Sequence, residues 1–266
     1  LMAVHSEDET IIQANQERYS HSTDPLSHLK VRSEDAAITC TTMLVDLAKR
    51  YQARLHICHL TTAQEVDLFK TLRDYPHITT EVTPHHLFLY APELYEKWGS
   101  YARANPPIRE QVHQKALFSA LQSGLIHCIG SDHAPHLPEE KQIAYPDTPA
   151  GIPAVETTLP LLLNQIKQGQ FSLEHIVQLT SANPARCFNI QFKGHIKEGY
   201  DADLVLVDLE KTKTVEAKHF YSKSKWSIYE GQSLTGWPVS TFVNGNRVFC
   251  EGDIFSDIKG KEIITH

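Results

Sequence analysis

The sequence predicts an α/β protein: the second half of a TIM-type (β/α)8 barrel over residues 1–193, followed by a small β module over residues 194–266. Three observations carry this. Short apolar segments alternate with stretches of helical periodicity, the pattern of parallel βαβ units. Four strand-like segments occur up to Gly130, where a closed barrel needs eight. After Gly194 the helical periodicity gives way to short strands joined by turns.

The elements follow in order. The apolar run Leu1–Val4, ending at His5, is the first strand. The acidic cluster Glu7 to Glu9 opens a helical stretch through Tyr19, negative charge being favourable in a first turn. Ser33 to Tyr51 is helical, with Ala37, Leu44, Leu47 and Ala48 near one face. Arg54 to His59 (RLHICH) is a strand with Leu55 and Ile57 apolar; Thr62 to Leu72 is helical; Ile78 to Thr83 is a strand rich in Thr and Val. Arg109 to Gln122 is a helix closed by Gly124, and Leu125 to Gly130 (LIHCIG) is a strand. Pro153 to Lys167 and Ser172 to Leu179 are helical. Asp203 to Asp208, Val239 to Val243 and Arg247 to Cys250 are strands, the last two joined at Asn244-Gly245, a strong hairpin signal.

Composition narrows the function. A net charge of -7 with no basic run argues against nonspecific nucleic-acid binding, while leaving room for an anionic small-molecule substrate at a locally positive site. No apolar stretch is long enough to cross a membrane, and Leu1–Val4 lacks the basic leader and cleavage site of a signal peptide. The five cysteines, Cys40, Cys58, Cys128, Cys187 and Cys250, form no paired short spacing, as expected of reduced thiols in a cytoplasmic protein.

Chemistry concentrates at strand ends. His5 ends the first strand, His59 the second, and Asp132 follows the fourth inside Ser-Asp-His-Ala-Pro-His. On a parallel barrel such positions converge. Imidazole nitrogens suit zinc, and a carboxylate can bind metal or move a proton. His85 and His86, after Pro84, either line the site or bond structurally. His133 is read as loop support, Arg32 and Arg109 as ion pairs, Glu156 as a helix-capping charge, and Asp201 and Asp203 as turn formers.

VHSEDE, LHICHLTT, EVTPHHLFL, ANPPIR, GSDHAPH, AGIPAVET and EGYDADLVLVD occur in this order along the chain. Together they resemble the dihydroorotases, with DADLVLVD marking the wider amidohydrolase superfamily, whose β module the tail resembles. The resemblance implies a cytoplasmic enzyme that reversibly interconverts dihydroorotate and N-carbamoyl-aspartate with two zinc ions. It implies that His5 and His59 bind the more buried zinc, and that Asp132 touches the other and acts as general base, then acid. It implies that Asn105 and His136 contact substrate, with backbone near Ala150 and Gly151 closing over the ring, and that the protein is a homo-oligomer. Allantoinases and hydantoinases are the alternative within this chemistry, although allantoinases usually carry Cys where Asn105 stands. A non-catalytic scaffold or subunit partner is the alternative outside it.

The family also has a His-x-His pair on its first strand and a bridging lysine or aspartate, both placed before the segment that matches His5. Neither occurs in this sequence. The expectation is that this polypeptide alone binds zinc poorly, hydrolyses little, and pairs with a missing amino-terminal half or another copy.

Overall fold

The computed structural model describes residues 1–255 and 257–265. It divides into two compact units, one of Leu1–Val155 with Glu216–Glu230, the other of Glu156–Val215 with Gly231–His266. The strand pattern of the sequence divides the chain at 193/194. The units instead follow packing, and they break after residues 155, 215 and 230.

The first unit is built on a parallel sheet in the order β1-β2-β3-β4: β1 Met2–Val4, β2 Leu55–Ile57, β3 Ile78–Val82 and β4 Cys128–Ile129. These are the four expected strands, each shorter than its apolar segment. The registers Val4↔Ile57 and Val82↔Ile129 keep the carboxy ends of β1 and β2, and of β3 and β4, level, while Ile57↔Thr80 lets β3 run two residues past β2; the residues just after the strands lie along one edge of the sheet. Leu55, His56 and Ile57 are all buried, as expected of a parallel strand covered on both faces.

Between the strands run α1 (Glu9–Arg18), α2 (Ser27–Val31), α3 (Glu34–Tyr51), α4 (Ala63–Lys70), α5 (Pro84–Phe88), α6 (Glu93–Trp98), α7 (Gln111–Gln122) and α8 (Pro138–Lys141). Several of their starts are set by polar side chains. Asp8, Ser33 and Thr83 accept from the backbone N–H of Ile11, Ala36 and His86, satisfying donors that the first helical turn leaves free. Thr62 and Glu65 form a reciprocal capping box on α4. The sequence pattern resolves α1, α3, α4 and α7 but not α2, α5, α6 or α8, which at four to six residues are too short to show a helical period.

The second unit pairs α9 (Val155–Lys167), α10 (Leu173–Val177) and α11 (Asn183–Cys187) with an antiparallel sheet, β5 (Leu204–Thr214), β6 (Ser233–Val243), β7 (Asn246–Cys250) and β8 (Asp253–Ile254). Asn244 and Gly245 both adopt positive φ, 49° and 79°, the two-residue turn anticipated between β6 and β7. β5 and β6 run longer than expected because pairing continues past the apolar segments, Thr212 with Thr235 and Thr214 with Ser233. Gly236, at φ +98°, lies so close to α9 that a Cβ there would sit 2.6 Å from the Cβ of Leu163.

Candidate metal and substrate site

Level strand ends bring His5 and His59 together. Cys58 N–H bonds to Val4 O at 3.0 Å, and His59 turns through a positive φ of 36° to point its ring at His5. His5 Nδ1 and His59 Nε2 are 3.1 Å apart, with the rings edge to face. On its far side His5 Nε2 meets Glu7 Oε2 at 2.8 Å, and Arg32 reaches the same oxygen. A carboxylate only accepts, so His5 carries its proton on Nε2 and presents the Nδ1 lone pair to His59. Burial raises the Glu7 pKa, but the His5 hydrogen bond and the Arg32 charge outweigh it and hold the carboxyl below its usual range. Burial, then the neighbouring His5, pushes His59 down. Two converging imidazole nitrogens, one backed by a carboxylate, are a donor set that fits a divalent metal such as zinc.

Asp132 follows β4 at φ +43°. Burial, with the charges of Glu81 and Asp132, pushes the Cys58 thiol up to about 11, and Asp132 opposes the lowering of His59. Asp132 does not join His5 and His59 in a group of three donor atoms within 4.8 Å. Glu81, on β3, takes His56 Nε2 at 3.3 Å and covers Gly130, where a Cβ would lie 2.4 Å from Glu81 Oε1. Two site carboxylates thus escape the sequence reading. Glu7 looks like a helix-dipole charge within an acidic run, yet its side chain is only 1 % exposed. Glu81 is the single charged residue of an otherwise uncharged strand, and that was its signal.

Of the four expected substrate residues, His136, Ala150 and Gly151 lie together, and their backbone meets the segment that leads to Asn105. Gly151 N–H bonds to Arg103 O at 2.9 Å, laying the Ala150-Gly151 backbone beside the segment that leads to Asn105. Gly151 sits at φ +147°, and a Cβ there would be 2.4 Å from Ala134 O, so only glycine fits. His136 Nε2 lies 3.1 Å from Ala150 O. His133 Nδ1 accepts from the N–H of Ala154 and Val155, the loop support expected of it. Beneath the loop, buried Lys141 donates to Pro149 O at 2.8 Å and Arg103 O at 3.2 Å, with Trp226 alongside. Burial, then the Arg103 charge, lowers it to about 7. Asn105 itself is held by His28, whose Nε2 is 2.9 Å from both Ala104 O and Asn105 Oδ1.

The remaining candidates sort by contact. Arg32 and Arg109 are structural: Arg109 donates to Thr61 Oγ1, Arg32 O and Ser33 O. His86 bonds to Thr83 Oγ1 and Pro106 O. His85 is 1 % exposed, has no partner at either ring nitrogen, and is lowered to about 3 by burial and His59. Lys193 bridges Asp201 and Asp203, and Asp203 also accepts from Asn244 N–H, as turn formers should. Among the described residues, Glu34, Glu110 and His113 form a group with donor atoms within 4.8 Å. His113 Nδ1 accepts from Ala63 N–H while Nε2 donates to Glu34, so both ring nitrogens are spent tying α3, α4 and α7 together.

The sequence is 33 % identical over 258 residues to the dihydroorotase of Methanosphaera stadtmanae, covering 96 % of this chain and 59 % of that protein. It is 34 % identical over 256 residues to the dihydroorotase of Methanothermobacter thermautotrophicus, covering 95 % and 57 %, and 37 % identical over 232 residues to that of Halobacterium salinarum, covering 87 % and 53 %. The chain spans a little over half the length of these curated relatives. Among solved structures, L-hydantoinase (dihydropyrimidinase) from Arthrobacter aurescens superposes with a TM-score of 0.90 at 31 % identity, over 95 % of this chain and 58 % of that one. Dihydropyrimidinase from Brevibacillus agri gives 0.89 at 26 %, over 95 % and 57 %. The sequence profile of the amidohydrolase family matches residues 1–248: with its level strand ends, paired histidines and parallel sheet, the chain belongs to the amidohydrolase family.

Proposed function

We propose that the protein carrying these residues is a dihydroorotase, reversibly hydrolysing the cyclic amide of dihydroorotate to N-carbamoyl-aspartate. The observation that carries the reading is the 3.1 Å convergence of His5 Nδ1 and His59 Nε2, in a chain whose dihydroorotase relatives are 33–37 % identical. His5 and His59 would hold one zinc, and Asp132 would reach a second. When bound, such ions supply charge that polarises a carbonyl and acidifies water. Glu7 keeps the His5 proton on Nε2, leaving Nδ1 free to ligate. Asp132 takes the proton of the attacking water and returns it to the leaving amide nitrogen. Asn105 and His136 bind the polar atoms of the ring, and the Ala150-Gly151 backbone covers it. The same reading places residues 1–193 in the carboxy-terminal half of a (β/α)8 barrel and 194–266 in the β module, in a cytoplasmic homo-oligomer.

A hydantoinase is the second reading, favoured by the solved structures named above. A scaffold role fits poorly with a ligand pair whose tautomer is still held by a buried carboxylate. The deciding experiment is a zinc-supplemented hydrolysis panel of L-dihydroorotate, 5-substituted hydantoins and allantoin, run on the full-length protein that carries these residues. Dihydroorotate as the preferred substrate supports the proposal. Preference for a hydantoin replaces it with the second reading, and turnover of none of them leaves the scaffold.

A further inference from the structure

The contacts of His28 carry a consequence for what Asn105 can bind. His28 lies on α2 and is fully enclosed, its ring edge against Tyr145 at 6.0 Å, with the Arg103 guanidinium over the same tyrosine. Its Nε2 is 2.9 Å from Ala104 O. A backbone carbonyl only accepts, so Nε2 carries a proton. Burial, then the Arg103 charge, lowers the His28 pKa to about 4. The ring is therefore neutral near pH 7, with its single proton on Nε2. The Asn105 side-chain atom 2.9 Å from that nitrogen must then be an acceptor, which is Oδ1. The flipped carboxamide would set N–H against N–H in a buried place and forfeit the bond. Ala104 O thus fixes the tautomer of His28, and His28 fixes the carboxamide of Asn105.

We propose that His28 is a positioning residue that sets specificity: it turns the Asn105 NH2 group toward the site, so that Asn105 selects an acceptor oxygen on the substrate and rejects a ring N–H. This rests on the reading of Asn105 as a substrate contact in a cyclic amidohydrolase. A cyclic amide offers both kinds of atom, a carbonyl or carboxylate oxygen and an amide N–H, so the inference orients the ring: an oxygen, not the amide N–H, faces Asn105.

Two measurements test it. The first is the histidine side-chain nitrogen spectrum of the isotopically labelled, ligand-free protein, with the His28 signal assigned through His28→Gln. The neutral Nε2–H tautomer is expected, and an Nδ1–H tautomer overturns the proposal whatever the substrate. The second is steady-state kinetics of His28→Leu, His28→Gln and Asn105→Asp with L-dihydroorotate. Leucine frees the carboxamide to flip, and KM should rise about tenfold with kcat nearly unchanged. Glutamine can donate to both oxygens and should bring KM back to within about threefold of the wild-type value. Asn105→Asp, which offers only acceptors, should weaken binding more than His28→Leu. A KM unmoved by His28→Leu, or moved equally by leucine and glutamine, sinks the inference. If the wild type ignores dihydroorotate but hydrolyses a hydantoin, the proposed activity fails. The same variants are then read on the hydantoin, where the same KM pattern upholds the positioning role and its absence overturns it.

Discussion

In the proposed metal site, the group behind His5 is Glu7. Glu7→Gln keeps the shape but replaces a charged acceptor with a neutral amide that can also turn a donor toward His5. Zinc affinity should drop about 10- to 100-fold, read by chelator competition. An unchanged affinity would mean that Glu7 serves only Arg32. Buried neutral histidines, His28, His85 and His86 among them, set the acid limit of the fold. His28 titrates at about 4 and His85 at about 3, against the usual 6.5. Between those values and 6.5 the unfolded chain binds more protons than the folded one, so stability rises with pH through this window. Stability should be complete above about pH 6.5 and fall as pH drops toward 4 and 3, measured as urea midpoints against pH. At this scale the residues proposed for the site, His5, His59, Asp132, Asn105, His136 and Gly151, were the ones legible in the sequence as candidates, through strand-end placement and motif order. Glu7, Glu81 and His28 were not. Their importance comes from partners 25 to 77 residues away in sequence, which no local pattern encodes.

Helix starts do more here than begin helices. Glu65, buried on α4, accepts from the N–H groups of Thr61 and Thr62 and from the hydroxyls of Thr62 and Thr41. Thr61 Oγ1 in turn takes Arg109 Nε, so the cap of one helix anchors the arginine that ends the Asn105-Pro-Pro-Ile segment. Glu65→Ala leaves several buried donors without acceptors and should cost about 3 kcal/mol, seen as a lowered urea midpoint at unchanged slope. A loss under about 1 kcal/mol would show that water replaces the carboxylate. The S/T-x-x-E signature stands in the sequence at Thr62–Glu65, at the start of the helical stretch expected from Thr62 to Leu72, of which α4 forms Ala63–Lys70. The short helices α2 and α8 could not be anticipated, although α2 carries His28 and α8 carries Lys141.

Taken whole, the chain is an α/β protein with a parallel sheet in one unit and an antiparallel sheet in the other. Alternation of apolar strands with helical stretches announced the first, and the Asn-Gly turn with its flanking strands announced the second. The interleaving of the units was hidden, because residues 216–230 join the first unit through contacts such as Trp226 Nε1 to His136 O at 2.8 Å. The second unit depends on one close approach. Gly236→Ala combines a disfavoured φ with a clash against Leu163 and should destabilise that unit by about 2 kcal/mol or more. Amide exchange in β5 and β6 should quicken accordingly, and unchanged protection there would mean that α9 shifts to make room.

The Lys141 side chain has a chemical corollary. An amine that titrates near 7 is substantially unprotonated at neutral pH and so a far better nucleophile than an ordinary lysine, yet no part of it is exposed. A small acylating reagent meets it only when the segment that carries it, α8, lifts its amine away from the Arg103 and Pro149 carbonyls. Lys141 labelling should therefore lag behind that of exposed lysines by the fraction of time the segment spends open. Cyclic ligands that pin the segment should slow it further, which would make this one amine a clock for substrate entry.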